Sequence, residues 1–344
     1  MERYLGLDVH RESCTFSVVS EAGKQVQRQV VETNGRSLVS FVRQLAGRLH
    51  VCLEEGEWSQ WLYEVLSPHV AEMVVVWPER RGPAKSDALD ARELAERLRT
   101  GRLGRVVYKA PRRYLRLREL ARVYGLLSRD VARSKNRLKS LVRRRGIDCT
   151  GEGVYQPEQR DRWLVQLPAG LRSIGELLGV GLDCLEELKG EAEEAMVAEA
   201  HRYPIARRLE TLPGLGPIRV AQMLPIVITP HRFRTKRQFW SYCGFGIVTR
   251  SSADWVRVDG QWVRARLPMT RGLNRNFNRT LKGIFKGAAT TVIAHATPGP
   301  FRAAYDRLCE QGTKPNLAKV TVARKLAATT LAMWKTEEAY DPTR

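Results

Sequence analysis

The five residues Met73-Val74-Val75-Val76-Trp77 constrain this chain more than any other stretch. A run that is apolar on every side cannot alternate between core and water, so it reads as a strand buried on both faces. Such strands lie inside sheets covered by helices, and the flanking sequence supplies those helices. From Tyr4 to about Val31 the pattern gives three strands, with Glu21-Ala22-Gly23-Lys24 as a hairpin turn. A helix from about Ser37 to Leu49 carries Leu38, Phe41, Val42 and Leu45 at helical spacing. Leu49-His50-Val51-Cys52-Leu53-Glu54-Glu55 is a further strand, and a second helix covers about Ser59 to Ser67. A third helix opens at Lys85-Ser86-Asp87-Ala88-Leu89-Asp90-Ala91-Arg92, with Leu89, Leu94 and Leu98 as apolar positions and Gly101 as its stop.

The resulting order, β-β-β-α-β-α-β-α, is that of a ribonuclease H-like domain: an antiparallel meander of three strands, then parallel strands joined by helices. It distributes four acids in a telling way. Asp87 and Asp90 are three residues apart and share one helix face. Carboxylates held that close repel unless a cation lies between them, and hard oxygen donors suit Mg2+ or Mn2+. By themselves they would read as aspartates complementing a helix dipole. Asp8, however, sits in an apolar strand, where a carboxylate is costly without a partner or metal. Glu54 ends the fourth strand, with Glu55 as the alternative, since alternation lets only one of them face the site. In this fold strand one, strand four and the last helix converge on one sheet edge, so a metal site of Asp8, Glu54, Asp87 and Asp90 is expected.

Beyond a linker from Leu103 to Arg112, a long helix is predicted from Arg113 to Arg145. Leu117, Leu120, Tyr124, Leu127, Val131, Ser134, Leu138 and Leu141 step by three and four without a slip, which is the seam of a coiled coil. The rest of its surface is basic, including Arg116, Arg122, Arg129, Arg133, Lys135, Arg137, Lys139, Arg143 and Arg144, with only Glu119 and Asp130 as counter-charges. That imbalance fits phosphate backbone better than solvent. The whole chain repeats it: 58 basic against 37 acidic residues in 344 give a net charge of +21. A polyanionic partner follows, and nucleic acid is favoured over membrane because no apolar run is long enough to span one. Six scattered cysteines without a C-x-x-C pair argue against zinc fingers and disulfides and fit a reducing cytoplasm, and no signal peptide precedes the first strand.

A second helical region, Leu171 to His201, is acidic and either folds back on the basic arm or pairs with another subunit. Leu212-Pro213-Gly214-Leu215-Gly216-Pro217 then reads as the turn of a helix-hairpin-helix, in which Gly214 and Gly216 let the backbone approach a phosphate at a helix N-terminus. Helices from about Arg271 to Ala294 and Pro300 to Trp334 complete a mainly helical domain. Ser251 and Ser252, by composition, belong to a polar loop. Three domains are expected: 1–108, an α/β ribonuclease H-like unit; 109–204, a helical arm; and 205–344.

Gly6-Leu7-Asp8, Cys52-Leu53-Glu54, Lys85 to Arg92, Leu212 to Gly216, and Cys243-Gly244-Phe245 followed by Ser251-Ser252 occur in the order seen in one known group. Over nearly the whole chain the sequence resembles transposases of the IS-one-ten (IS110) insertion-sequence family. The resemblance implies a RuvC-like N-terminal domain whose Asp-Glu-Asp-Asp set falls on Asp8, Glu54, Asp87 and Asp90. It implies a C-terminal transposase domain whose catalytic serine, by position, falls on Ser252, with Ser251 as its neighbour. It further implies donor and target double-stranded DNA, a structured noncoding bridge RNA, a homo-oligomer in which dimers assemble to a tetramer, and a bacterial, nucleoid-associated cytoplasmic protein. Two departures stand out: Glu54-Glu55-Gly56 replaces the usual Glu-Ala-Thr-Gly, and Ser252 is followed by Ala253 and an insertion-like stretch from Trp255 to Trp262. Arg266 and Arg271 are further expected DNA contacts, and one of Arg266, Arg271 and Arg275 is expected to stabilise a phosphorane. The rival expectations are a Holliday-junction-resolvase-like metal nuclease with water as nucleophile, and a nucleic-acid scaffold without metal.

Overall fold

The computed structural model describes residues 1–78, 87–109, 113–250, 255–264, 269–295 and 299–343. The chain divides into two compact units, Met1–Arg113 and Tyr114–Arg344.

The first unit contains β1 (Glu2–Val9), β2 (Ser13–Ser20), β3 (Gln25–Glu32), α1 (Gly35–Gln44), β4 (Arg48–Glu54), α2 (Ser59–Leu66), β5 (Glu72–Val76), α3 (Asp87–Arg99) and β6 (Val106–Val107). Its sheet has the order β3-β2-β1-β4-β5-β6. The first three strands form an antiparallel meander, while β4 and β5 run parallel to β1 and to each other. The centre of the apolar stretch behaves as its composition requires, Val74, Val75 and Val76 being buried, whereas Trp77 follows the strand and is 54% exposed. Val75 joins Leu5, Leu7, Val51 and Leu53 against Leu38, Phe41, Leu62 and Leu66 of α1 and α2. Val74 and Val76 join Cys52 against Leu94 and Leu98 of α3 on the other face. Two residues of the expected linker, Val106 and Val107, instead extend the sheet antiparallel to β5. A two-residue strand carries no periodicity, so the sequence had no signal for it.

Gly6 fixes how closely α3 lies on the sheet. A Cβ built there would stand 1.7 Å from the Ala91 carbonyl oxygen and 2.6 Å from the Ala95 nitrogen. Glycine in the strand and alanines in the helix therefore let the two backbones touch. Leu89, expected on the buried face, is 60% exposed, because Ala91, Leu94, Ala95 and Leu98 take the sheet-facing positions.

The second unit comprises α4 (Leu115–Arg143), α5 (Pro157–Leu164), α6 (Ala169–His201), α7 (Pro204–Glu210), α8 (Pro217–Val227), α9 (Lys236–Tyr242), β7 (Ile247–Arg250), β8 (Trp255–Val258), β9 (Gln261–Arg264), β10 (Met269–Leu273), α10 (Arg279–Ala294), α11 (Pro300–Glu310) and α12 (Pro315–Thr336). Helix α6 folds back on α4 in the antiparallel sense: Glu199 lies 3.6 Å from Arg116, Glu186 lies 2.7 Å from Lys135, and Gly175 approaches Leu141. The α4 seam thus packs, through Val131, Leu138 and Val142, against Leu182 of the same chain. The last helical region is broken at Gly312 (φ +80°), ahead of Pro315, and Arg271 lies on β10 rather than on a helix.

Candidate active site

Three of the four expected acids come to the same edge of the first sheet. In β1, Leu5 and Leu7 face α1 and α2, so Gly6 and Asp8 face α3. The parallel register of β1 and β4 ends at Leu7↔Leu53, so Asp8 and Glu54 are neighbours just beyond it at the C-terminal ends of adjacent strands. Cys52 lies under Leu94 and Leu98, and Glu54, two residues on, shares that face. Burial, reinforced by the Glu54 charge, pushes the Cys52 thiol up to about 12, in keeping with a carboxylate on the same side.

Helix α3 runs antiparallel to β1 above this face. Its C-terminal Arg99 donates to the Glu21 carbonyl, and Glu21 follows Ser20, the partner of Arg3 at the start of β1. The N-terminal turn of α3, with Asp87 and Asp90, is therefore at the Asp8 end. Asp90 is half-buried there; the Asp87 backbone begins the helix, and its side chain lies outside the described ones. Among the described residues no three Asp, Glu, His or Cys side chains gather closely enough to hold a metal ion.

Asp8 Oδ2 lies 3.2 Å from His10 Nε2, and Asp8 Oδ1 accepts from the Val9 amide at 3.1 Å. His10 went unnoticed in the sequence; its place two residues after Asp8, just past the end of β1, was the available signal. Glu55 points elsewhere: Lys109 Nζ lies 2.7 Å from Glu55 Oε2 and 3.0 Å from Ser59 Oγ. That ion pair occupies Glu55 and leaves Glu54 on the α3 face. The donors present are hard carboxylate oxygens, the chemistry that Mg2+ or Mn2+ takes.

On the basic arm, Arg116, Arg122, Arg129, Arg133, Arg137, Arg143 and Arg144 are exposed. Arg122 and Arg133 pair within α4 with Glu119 and Asp130. Lys135 and Lys139 both lie 5.1 Å from the Tyr155 ring centre, Lys139 donates to the Gly151 carbonyl, and Arg143 donates to the Cys149 carbonyl. These three thus also order the segment after α4.

At the α7–α8 turn, the two glycines differ. Gly214 has φ +83°, and a Cβ there would stand 2.5 Å from the Ala288 carbonyl oxygen of α10. Gly216, the residue before α8, faces open space. Arg219 locks the turn by donating to the Gly214 carbonyl at 2.6 Å and to Thr291 Oγ1 at 3.1 Å. Ser251, Ser252 and Arg266 lie outside the described residues; Arg271 is in β10, its side chain outside them too.

Residues 5–145 match the profile of the DEDD transposase domain of IS110 type, described as a transposase. Residues 206–306 match the profile described as transposase IS116/IS110/IS902 family. The chain belongs to this transposase family. The first match takes in the acid edge of the first unit and continues through α4 of the second, and the second match runs from α7 to α11 within the second unit. A curated relative, the transposase for insertion sequence element IS1533 of Leptospira borgpetersenii, is 25% identical over 179 residues, which are 48% of this chain and 50% of that protein. The chain spans about half the length of this relative. No helix among the described residues is long and apolar enough to cross a membrane.

Proposed function

We propose that the protein is a DNA transposase that cuts and exchanges strands through a covalent phosphoserine. The observation that carries this reading is the placement of Asp8 and Glu54 at the ends of adjacent strands, on the face of the sheet covered by α3 and its Asp90 turn. With Asp87 they would hold Mg2+ or Mn2+, which when bound neutralises charge on a scissile phosphate. The protein's own groups do the rest. His10 orients the Asp8 carboxylate, and Lys109 keeps Glu55 away from it. Ser252 Oγ forms a bond to phosphorus as the phosphodiester P–O bond breaks, and its proton passes to the departing strand oxygen. A hydroxyl of the partner strand then displaces the serine in the reverse sense, so the bond energy is conserved and no nucleotide hydrolysis is needed. Arg266 and Arg271 are the proposed donors to the phosphorane.

The exposed arginines of α4 supply sequence-independent grip on DNA or on a bridge RNA backbone. Homo-oligomerisation is supported by the outer side of α6, where Ile174, Leu177, Val180 and Leu188 are exposed. An apolar stripe of this length on a helical hairpin fits a second copy of the same hairpin.

The test is a suicide DNA substrate incubated with the protein, Mg2+ and co-purified RNA, followed by denaturing electrophoresis. A protein–DNA adduct that disappears in both Ser252→Ala and Asp87→Ala supports the roles proposed for both residues. Free cut DNA without an adduct, undiminished in Ser252→Ala, replaces it with the resolvase-like reading in which water attacks.

A further inference from the structure

A cavity of about 950 Å³ lies along α12 in the second unit, and the proposed strand exchange makes no use of it. Its lining follows the helix from Thr321 to Thr336, about 22 Å at about 1.5 Å per residue. Ala328 and Ala332, one turn apart, leave the room. The walls come from Lys236 and Trp240 of α9, Phe301 at the start of α11, and Tyr340 in the segment after α12. Those walls are tied down. Trp240 Nε1 donates to the Arg324 carbonyl at 2.8 Å, and the Tyr340 amide donates to Thr211 Oγ1 at 2.8 Å. The Phe301 and Tyr340 rings lie 5.8 Å apart.

The charge of the lining is uneven. Arg324 and Lys325 stand in the N-terminal half of α12, a helix without an acidic residue, and Lys236 Nζ lies 5.8 Å from the Trp240 ring centre. The acids of the lining, Glu338 and Asp341, come after the last turn of α12, where the Glu338 amide bonds the Met333 carbonyl. Arg324 is half-buried and donates through Nε to the Phe245 carbonyl at 2.9 Å. Its terminal nitrogens have no partner among the described residues. Burial alone pulls its pKa down, so no carboxylate of the lining offsets its charge. A guanidinium partly removed from water with its donor fork unpaired is costly, and a pair of anionic oxygens satisfies it bidentately.

We propose that this cavity binds a nucleotide, its phosphate held by Arg324 and Lys325 and its nucleoside lodged between α12 and the aromatic walls. The volume belongs to the range of about 300–1,000 Å³ that encloses small organic ligands. A phosphate alone would fill little of it, so the anion carries a body, and Trp240, Phe301 and Tyr340 offer apolar surface to a planar one. The choice of a nucleotide among organic phosphates rests on the reading of the protein as a DNA transposase. The nucleotide is either free or the 5′-phosphorylated end of a strand, since both present the same group.

The experiment titrates the full-length protein by calorimetry with 5′-dAMP, with inorganic phosphate, and with dT12 carrying a 5′-phosphate or a 5′-hydroxyl. Thermal melting and the Ser252-dependent adduct assay are run on the same preparations. In the wild type, 5′-dAMP is expected to bind about tenfold more tightly than phosphate. Arg324→Gln should weaken it by about tenfold to a hundredfold. Lys325→Gln removes an exposed side chain and should weaken it severalfold without moving the melting transition. Ala328→Leu fills the cavity and should abolish nucleoside-dependent binding while leaving that of phosphate. A 5′-phosphate that tightens dT12 binding in the wild type, and not in Arg324→Gln, supports a strand end as the source; binding of 5′-dAMP without that gain supports a free nucleotide. If 5′-dAMP binds no better than phosphate, or binds all three variants as it binds the wild type, the nucleotide site is refuted while adduct formation still carries the transposase reading. A wild type that forms no adduct yet binds 5′-dAMP through Arg324 overturns the strand-exchange reading and leaves the site standing.

Discussion

Gly6→Ala adds one methyl group where β1 passes under α3. The new carbon would stand 1.7 Å from the Ala91 carbonyl oxygen and 2.6 Å from the Ala95 nitrogen, and both are backbone atoms. No side chain can swing away to make room. Helix α3 must retreat by about 1.5 Å before that contact reaches an ordinary separation. Forced repacking of this kind costs about 1–3 kcal/mol. For a unit of this size that lowers the melting transition by about 4–12 °C. The retreat also lifts the Asp87–Asp90 turn from the strand ends bearing Asp8 and Glu54. A displacement of about 1 Å in a catalytic constellation costs about a hundredfold in rate. Melting curves and the rate of covalent adduct formation should therefore fall together. Gly56→Ala is the control, since its methyl would meet nothing within 4 Å. A Gly6→Ala protein that is destabilised but forms the adduct at the wild-type rate would refute the claim that this contact sets the spacing of the acids.

Gly214→Ala should destabilise the second unit by about 1–3 kcal/mol, because φ is +83° and the methyl would press on the Ala288 carbonyl, whereas Gly216→Ala should leave urea unfolding unchanged. Equal midpoints for the two would remove the packing role assigned to Gly214. Arg160, buried between α5 and α6, donates to Asp183 at 2.8 Å and to the Val154 and Tyr155 carbonyls, so Arg160→Met should cost about 2 kcal/mol in the same unfolding experiment, and no loss would mean those groups find water instead. Burial pulls the His50 pKa down, but its hydrogen bonds to Glu2 and Glu72 outweigh that and hold it above 6.5. Its stabilisation is then fully present below about pH 6.5 and fades as the pH rises through the raised pKa. Glu2, lowered from 4.5 mainly by its hydrogen bond to His50, works in the other direction, its contribution lost on acidification. The stability difference between wild type and His50→Gln, followed by urea midpoints from pH 5.5 to about 8.5, should narrow with rising pH; a constant difference would exclude the coupling.

What the sequence made legible were the features that repeat along the chain. Alternation and continuous apolar runs gave the meander, the parallel strands and the helices between them, because each of those patterns is local. The seam of α4 was legible for the same reason, and the acidic helix after it was legible as a candidate partner, in this chain or in another subunit. A heptad pattern states that a face must be covered and leaves open by what; here the acidic helix α6 of the same chain covers it, through Lys135–Glu186 and the Leu182 contacts. Leu89 and Gly6 show where local pattern stops helping. Leucine at helical spacing counts as core only until the helix meets a glycine in the strand below, and then the alanines take the contact and the leucine turns outward. The same boundary runs through the acid edge. Asp8 was readable as a residue out of place in its strand, whereas Asp87 and Asp90 by themselves read as ordinary aspartates at a helix N-terminus. The proposed choice of Glu54 over Glu55 rests on Lys109, 54 residues from Glu55, which pairs with Glu55. A site assembled from strand ends and a helix N-terminus is thus visible in sequence as separate anomalies. The tertiary contacts that select among them, an ion pair on one side of the sheet and a glycine–alanine contact on the other, have no local signature.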